Sequence, residues 1–218
     1  MVLIKRNSLA IRALLIFSAL LFIALACPRT GLRPAQRIPL RSYVEMSVPH
    51  AGVAAPVFPA VLDVAPVESM ELLTDYNPDG AFKGKFAVEL REGAITYFDR
   101  KALFIAVRPE GGELSLKIHL LSYEASRRAN PQKILLYVEA HLINTPKHEE
   151  ILTGKTGASM TIPINELRKP INITPPGGGR GWVMERGAFE LAQLCLVIYR
   201  NIEKQIIQNK DHILNTLK

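Results

Sequence analysis

Cysteine is scarce: the 218 residues hold two, Cys27 and Cys195. A disulfide framework needs more than that. Cys195 sits in the apolar run LAQLCLVIY, where a small buried thiol is its ordinary role. Aromatic residues make up 7% of the chain, with one tryptophan, Trp182. Nucleic-acid binding calls for a clustered basic face interleaved with aromatics, so no nucleic-acid partner is expected. No GxSxG, HExxH or CxxC pattern occurs. The main apolar run, Ala13–Ala26, is shorter than the roughly 20 residues that span a bilayer as a helix.

What is present begins at that run. Lys5, Arg6 and Arg12 precede or enter it, with no acidic residue among them, and it ends Ala24-Leu25-Ala26 just before Cys27. A basic start, a short apolar core and small residues at its end describe a secretory signal. Two readings of the break are open. Ala24 and Ala26 fit the small-x-small pattern of ordinary cleavage. Alternatively, Cys27 is itself the point of processing.

Residues Ala24-Leu25-Ala26-Cys27 resemble the lipobox of bacterial lipoproteins, with the usual leucine displaced by one position. That resemblance implies a diacylglycerol on the Cys27 thiol and a further acyl chain of the palmitate class on the freed amine. It makes Cys27 the lipid-attachment residue. Pro28 follows rather than Asp, which by the same resemblance implies the outer membrane, facing the periplasm.

The formal charge of +7 is partly the signal's, because without it 24 basic residues face 20 acidic ones. Residues 27–56 are rich in proline and arginine and read as an extended tether. Arg33, Arg37 and Arg41 recur every four residues, either as a solvated linker or as a basic strip on anionic headgroups. The prolines at 34 and 39 argue against a regular helix there.

Residues 57–218 read as a single α+β domain. PAVLDVAP, 59–66, supplies a first short strand. Phe82, Phe86, Leu90 and Ala94 recur every four residues and predict a helix over 80–99, capped by Asn77 or Asp79. Residues 102–107 read as a buried strand. Residues 113–123 and 133–143 alternate apolar and polar, giving strands with one buried face. Residues 149–163 return as a hairpin partner. The connector INITPPGGGRGW should lack regular structure. A helix over about 183–209 carries a broad apolar stripe.

The expected order is β-α-β-β-β-β-α: an antiparallel sheet of four to five strands with two helices packed on one face. With the lipobox-like start, this order resembles small periplasmic α+β lipoproteins. These include the lipopolysaccharide-assembly lipoprotein, the auxiliary lipoproteins of ABC-type transport systems and the curli-secretion lipoprotein.

Three motifs invite chemistry. Gly154-Lys155-Thr156 resembles the end of a phosphate-binding loop, but Glu149 stands where the first glycine is required. PPGGGRGW lacks the GxGxxG order, and Trp182 at its end either anchors a partner or packs on its own domain. His119 and His141 fall on the same polar face of neighbouring strands, with Glu139 two residues from His141. A metal needs three or four ligands at fixed geometry, and exposed cross-strand polar pairs are the ordinary reading.

No catalytic, metal or cofactor-binding residues are therefore expected. The leading expectation is a lipid-anchored, non-enzymatic envelope protein, an assembly or transport accessory with a membrane anchor and an envelope protein partner. The alternatives are a periplasmic enzyme with dispersed site residues and a structural, self-associating secretion-channel lipoprotein.

Overall fold

A computed structural model describes residues 38–52, 55–69, 80–125, 131–174 and 182–218. Cys27, Arg33, Arg37, Asn77 and Asp79 lie outside the described residues. The described elements all belong to one compact unit, residues 35–218.

The first element corrects the expectation of an extended tether. Helix α1, Leu40–Ser47, starts directly after Pro39. Proline disrupts a helix interior, but ahead of the first turn its missing N–H and fixed φ do no harm. Leu40, Tyr43 and Val44 lie three and four residues apart and turn one face into the core, all buried.

Strand β1 is Phe58–Val64 and β2 is Glu68–Ser69. Helix α2 is Gly80–Lys101, β3 Phe104–Arg108, β4 Leu114–Ala125, β5 Gln132–Asn144 and β6 Glu149–Ile162. The six strands form one mixed sheet with path β3-β1-β4-β5-β6, and β2 pairs with β4. The α+β class matches expectation, but the sheet is not wholly antiparallel. β1 runs parallel to β3 and to β4, and β2 runs parallel to β4, while β4-β5-β6 is an antiparallel meander. Alternation of apolar residues reports burial, not direction. The β1-α2-β3 crossover returns the chain parallel to where it started.

Every second side chain of the central strands points into the core. Leu62, Leu114, Leu116, Ile118, Leu136 and Val138 are at most 1% exposed. Burying one such side chain contributes roughly 1.5–3 kcal/mol. Helix α3, Arg186–Gln208, lies against β5 and β6, and α2 lies against β1 and β3. From these helices Leu90, Tyr97, Phe98, Leu194, Ile198 and Tyr199 complete the core. A fourth helix, α4, Lys210–Thr216, buries Ile213. Asn144, itself buried, donates to the Thr216 carbonyl at 3.1 Å and holds α4 to the β5–β6 turn.

Helices α1, α2 and α3 meet at Gly93 of α2. A Cβ there would sit 2.6 Å from the Tyr199 hydroxyl and 3.0 Å from the Leu40 side chain. That tight approach is why a residue unfavourable to helices stands in mid-helix.

The connector is a further correction. Its ends pair as a small antiparallel sheet, β7, Pro170–Ile173, with β8, Trp182–Glu185. Residues 175–181, with both prolines and all four glycines of the connector, lie outside the described residues. α3 therefore begins at Arg186, not near 183. Arg186 hydrogen-bonds Glu166, which lies in a short 3₁₀ turn at Ile164–Glu166.

Candidate functional site

The sheet face opposite the core is where polar groups gather. On the β4-β5-β6 meander the side chains between the buried ones are half-buried or exposed. The register places His119 opposite Glu139 and Lys117 opposite His141. On the far side of β5, Glu139 faces Lys155 and His141 faces Thr153. His119 and His141 are thus diagonal neighbours, with ring centroids 4.8 Å apart.

Carboxylates surround the two rings. His141 Nδ1 meets Glu150 Oε2 at 2.8 Å, and its Nε2 stands 3.7 Å from Glu139 Oε2. His119 Nδ1 is 3.7 Å from Glu68 Oε2, on the two-residue strand β2. Lys155 Nζ reaches Glu139 Oε1 at 3.6 Å. The His119, His141 and Glu139 side chains are 26%, 19% and 20% exposed, so the cluster is set into the sheet surface.

A bulge brings Glu150 there. The β5–β6 register shifts so that Leu142 faces Leu152 while Ile143 faces Glu150. The extra residue, Ile151, turns inward and is buried, while the carboxylate of Glu150 reaches His141. The Thr153 hydroxyl also hydrogen-bonds Glu150. The Thr153 and His141 hydrogen bonds hold the Glu150 carboxyl below the usual carboxylate range. Further along the same face Tyr137 covers Gly157, where a Cβ would come within 2.6 Å of its ring.

Sequence reasoning therefore placed His119, His141 and Glu139 together correctly. It missed Glu150, Glu68 and Lys155. The Glu139–Lys155 pairing follows once the hairpin register is known, whereas Glu150 depends on a bulge with no sequence signal. Among the described residues, no group of three or more histidine, cysteine, aspartate or glutamate side chains could hold a metal ion.

The other candidates are separated from this cluster. Gly154-Lys155-Thr156 lies within β6, without the strand-loop-helix context of a phosphate loop. Cys195 is fully buried, and burial, reinforced by the negative charge of Glu89, pushes its thiol far above the ordinary range. It is no nucleophile in the folded state. Trp182 is 41% exposed at the start of β8, opposite Ile173. Arg41, on α1, pairs with Glu45 at 3.0 Å. A shallow groove of about 460 Å³ runs between Pro59 and the α4 residues Asp211, Leu214 and Asn215, and no residue of the histidine cluster lines it. Among the described residues no helix is long and apolar enough to cross a membrane.

No family model matches the chain, and no curated protein matches it in sequence. Several solved structures are similar in fold. Protein XCC0632 from Xanthomonas campestris, of family DUF330, is 12% identical with a TM-score of 0.48, over 75% of this chain and 93% of that one. Lipoprotein GNA1162 from Neisseria meningitidis is 15% identical with a TM-score of 0.32, over 47% of this chain and 84% of that one. The PelC dodecamer from Paraburkholderia phytofirmans is 13% identical with a TM-score of 0.33, over 52% and 79%. At these scores the likeness assigns neither a family nor an activity.

Proposed function

We propose that this protein is a lipid-anchored, non-enzymatic envelope protein that acts as an assembly or transport accessory at the outer membrane. The carrying observation is the stretch ALLIFSALLFIALAC, with Lys5, Arg6 and Arg12 near its start and Cys27 at its break. A short apolar core signals export. A cysteine at the processing point supplies the thiol that two or more acyl chains need for stable anchoring, at about 0.8 kcal/mol per buried CH₂. The mixed sheet supports a contact role, because its outer face presents cross-strand side chains such as Tyr137, Lys117 and Lys155 to a protein partner.

The test is the intact mass of membrane-extracted protein, wild type and Cys27→Ala, expressed in a double-membrane bacterium. Cleavage before residue 27 plus acyl chains, lost in the variant, is the expected result. An unmodified mass beginning at or beyond residue 27 means ordinary secretion and overturns the anchor. A mass retaining residue 1 means an uncleaved membrane segment and overturns it equally. Fractionation of the acylated protein between inner and outer membranes then tests the location.

A further inference from the structure

We propose that the free edge of β6 and the neighbouring flank of α3 form one face on which a second copy of this chain docks, about a two-fold axis through Ala158 and Val197. The proposal is independent of the anchor. Three observations carry it.

The first is the edge itself. β6 ends the sheet path on one side. Among the described residues no strand pairs with its far edge, and no loop backbone hydrogen-bonds to it. Such a row of unpaired N–H and C=O groups is a template for another strand, and prolines, charges or bulges usually blunt it. Here the bulge lies at the start of the strand, beside Glu150 and Ile151. From Leu152 to Ile162 the register is regular, without proline, and Lys155 is the one charged residue. The opposite edge, β3, is only five residues long. Pairing of like with like therefore matches the lengths, and it closes as a dimer.

The second is the self-complementarity of the strand. Antiparallel pairing centred on Ala158 sets Gly154 opposite Ile162 and Thr156 opposite Met160, the smaller side chain against the larger each time. Lys155 falls opposite Thr161. The two copies of Lys155 stand about 20 Å apart along the strands, so like charges do not meet.

The third is the helix above the edge. α3 follows β6 in step: Gln205 packs on Gly154, and Asn201 Nδ2 donates to Thr156 Oγ1 at 2.9 Å. One turn further back, Val197 comes level with Ala158. Val197 is an apolar side chain left 38% exposed. Glu190, which Arg186 holds at 3.4 Å, and the exposed Lys204 lie seven residues to either side of it, on the same flank. Antiparallel helices centred on Val197 set Lys204 against the partner's Glu190 and cover Val197 with its own copy. Strand pairing at about 4.8 Å brings the two helices side by side on one face. Strand and helix thus select the same axis, one by side-chain size and the other by charge.

The test is the protein mass of the full-length chain in detergent, by density-matched sedimentation equilibrium. A dimer with Kd below about 10 µM is expected. Val197→Arg sets two cations on the axis and should weaken it at least about a hundredfold. Ile207→Arg, at a site 44% exposed but further round the helix, should leave it unchanged. Thr161→Glu, facing the partner's Lys155, should tighten it about three- to tenfold. All three sites are exposed, so the variants should keep the fold, which circular dichroism checks.

Cross-linking reads the axis directly. Val197→Cys should form a disulfide-linked dimer on mild oxidation and Ile207→Cys should not, with the wild type and its own Cys27 as background. A monomer at concentrations up to about 100 µM overturns the proposal. So does a dimer that Val197→Arg leaves intact, or cross-linking that is equal at the two cysteine variants.

Discussion

The hydroxyl of Tyr199 on α3 donates to the Leu90 carbonyl of α2 at 2.7 Å, and it lies against the α carbon of Gly93 one turn further on. The two helices meet there with no room for a methyl group, and Leu40 of α1 closes the same gap.

Gly93→Ala should therefore destabilise the fold although alanine is the better helix former. The clash costs about 1–3 kcal/mol, against roughly 1 kcal/mol gained in helix propensity. Urea unfolding should show a net loss. Tyr199→Phe removes the clashing oxygen, so the double variant should be more stable than the two single effects predict. A double-mutant cycle reads that coupling directly.

Ala102 offers the opposite case. It ends α2 with φ +50°, and its N–H donates to the Asp99 carbonyl at 3.1 Å. A left-handed alanine costs about 1–2 kcal/mol, whereas glycine there loses only its larger unfolded-state entropy. Ala102→Gly should stabilise by about 0.5 kcal/mol and raise Tm by about 2 °C.

Alkaline pH should unfold this protein through its helix layer. Burial raises the hydroxyl pKa of Tyr43, Tyr97 and Tyr199, and at Tyr97 the hydrogen-bonded Glu203 carboxylate adds to it. The folded state thus holds the proton more tightly than the unfolded chain. The contribution is full below the unfolded value of about 10 and is lost as pH rises beyond it toward the folded values. Denaturant midpoints should be flat just below that pH and fall above it. Ultraviolet titration should show these tyrosines ionising together with unfolding.

Cys195 should stay silent toward thiol reagents until the fold opens. It is fully buried on the core-facing side of α3. With Cys27 acylated, one thiol should react in denaturant and none under native conditions; without acylation, a second appears. A Cys195 that reacts rapidly in the native protein contradicts the packing described.

Much of this architecture was legible. The alternation Leu114-Leu116-Ile118-Leu120 marks the buried face of β4, and that of Ile134 to Leu142 marks β5; all of these side chains are buried. The spacing Phe86-Leu90-Ala94 marks α2. These signals are local, so they can be read one segment at a time. Strand direction is not local: β1 pairs with β3 and β4, which arrive more than 40 residues later. The helix at 40–47 is hidden in the sequence because a proline just before a helix reads the same as a proline that breaks one. At the candidate site, alternation placed His119 beside His141, but Glu150 reached them through the displaced Ile151, which periodicity cannot foresee.

Gln193 donates to the hydroxyl of Tyr43 across 150 residues of chain, and Phe189 meets the same ring edge-on at 5.7 Å. Helices α1 and α3 thus clasp each other, and α3 completes a seat for α1 whose larger part is α2. That last contact joins residues 150 positions apart, a non-local pairing of the kind that slows folding.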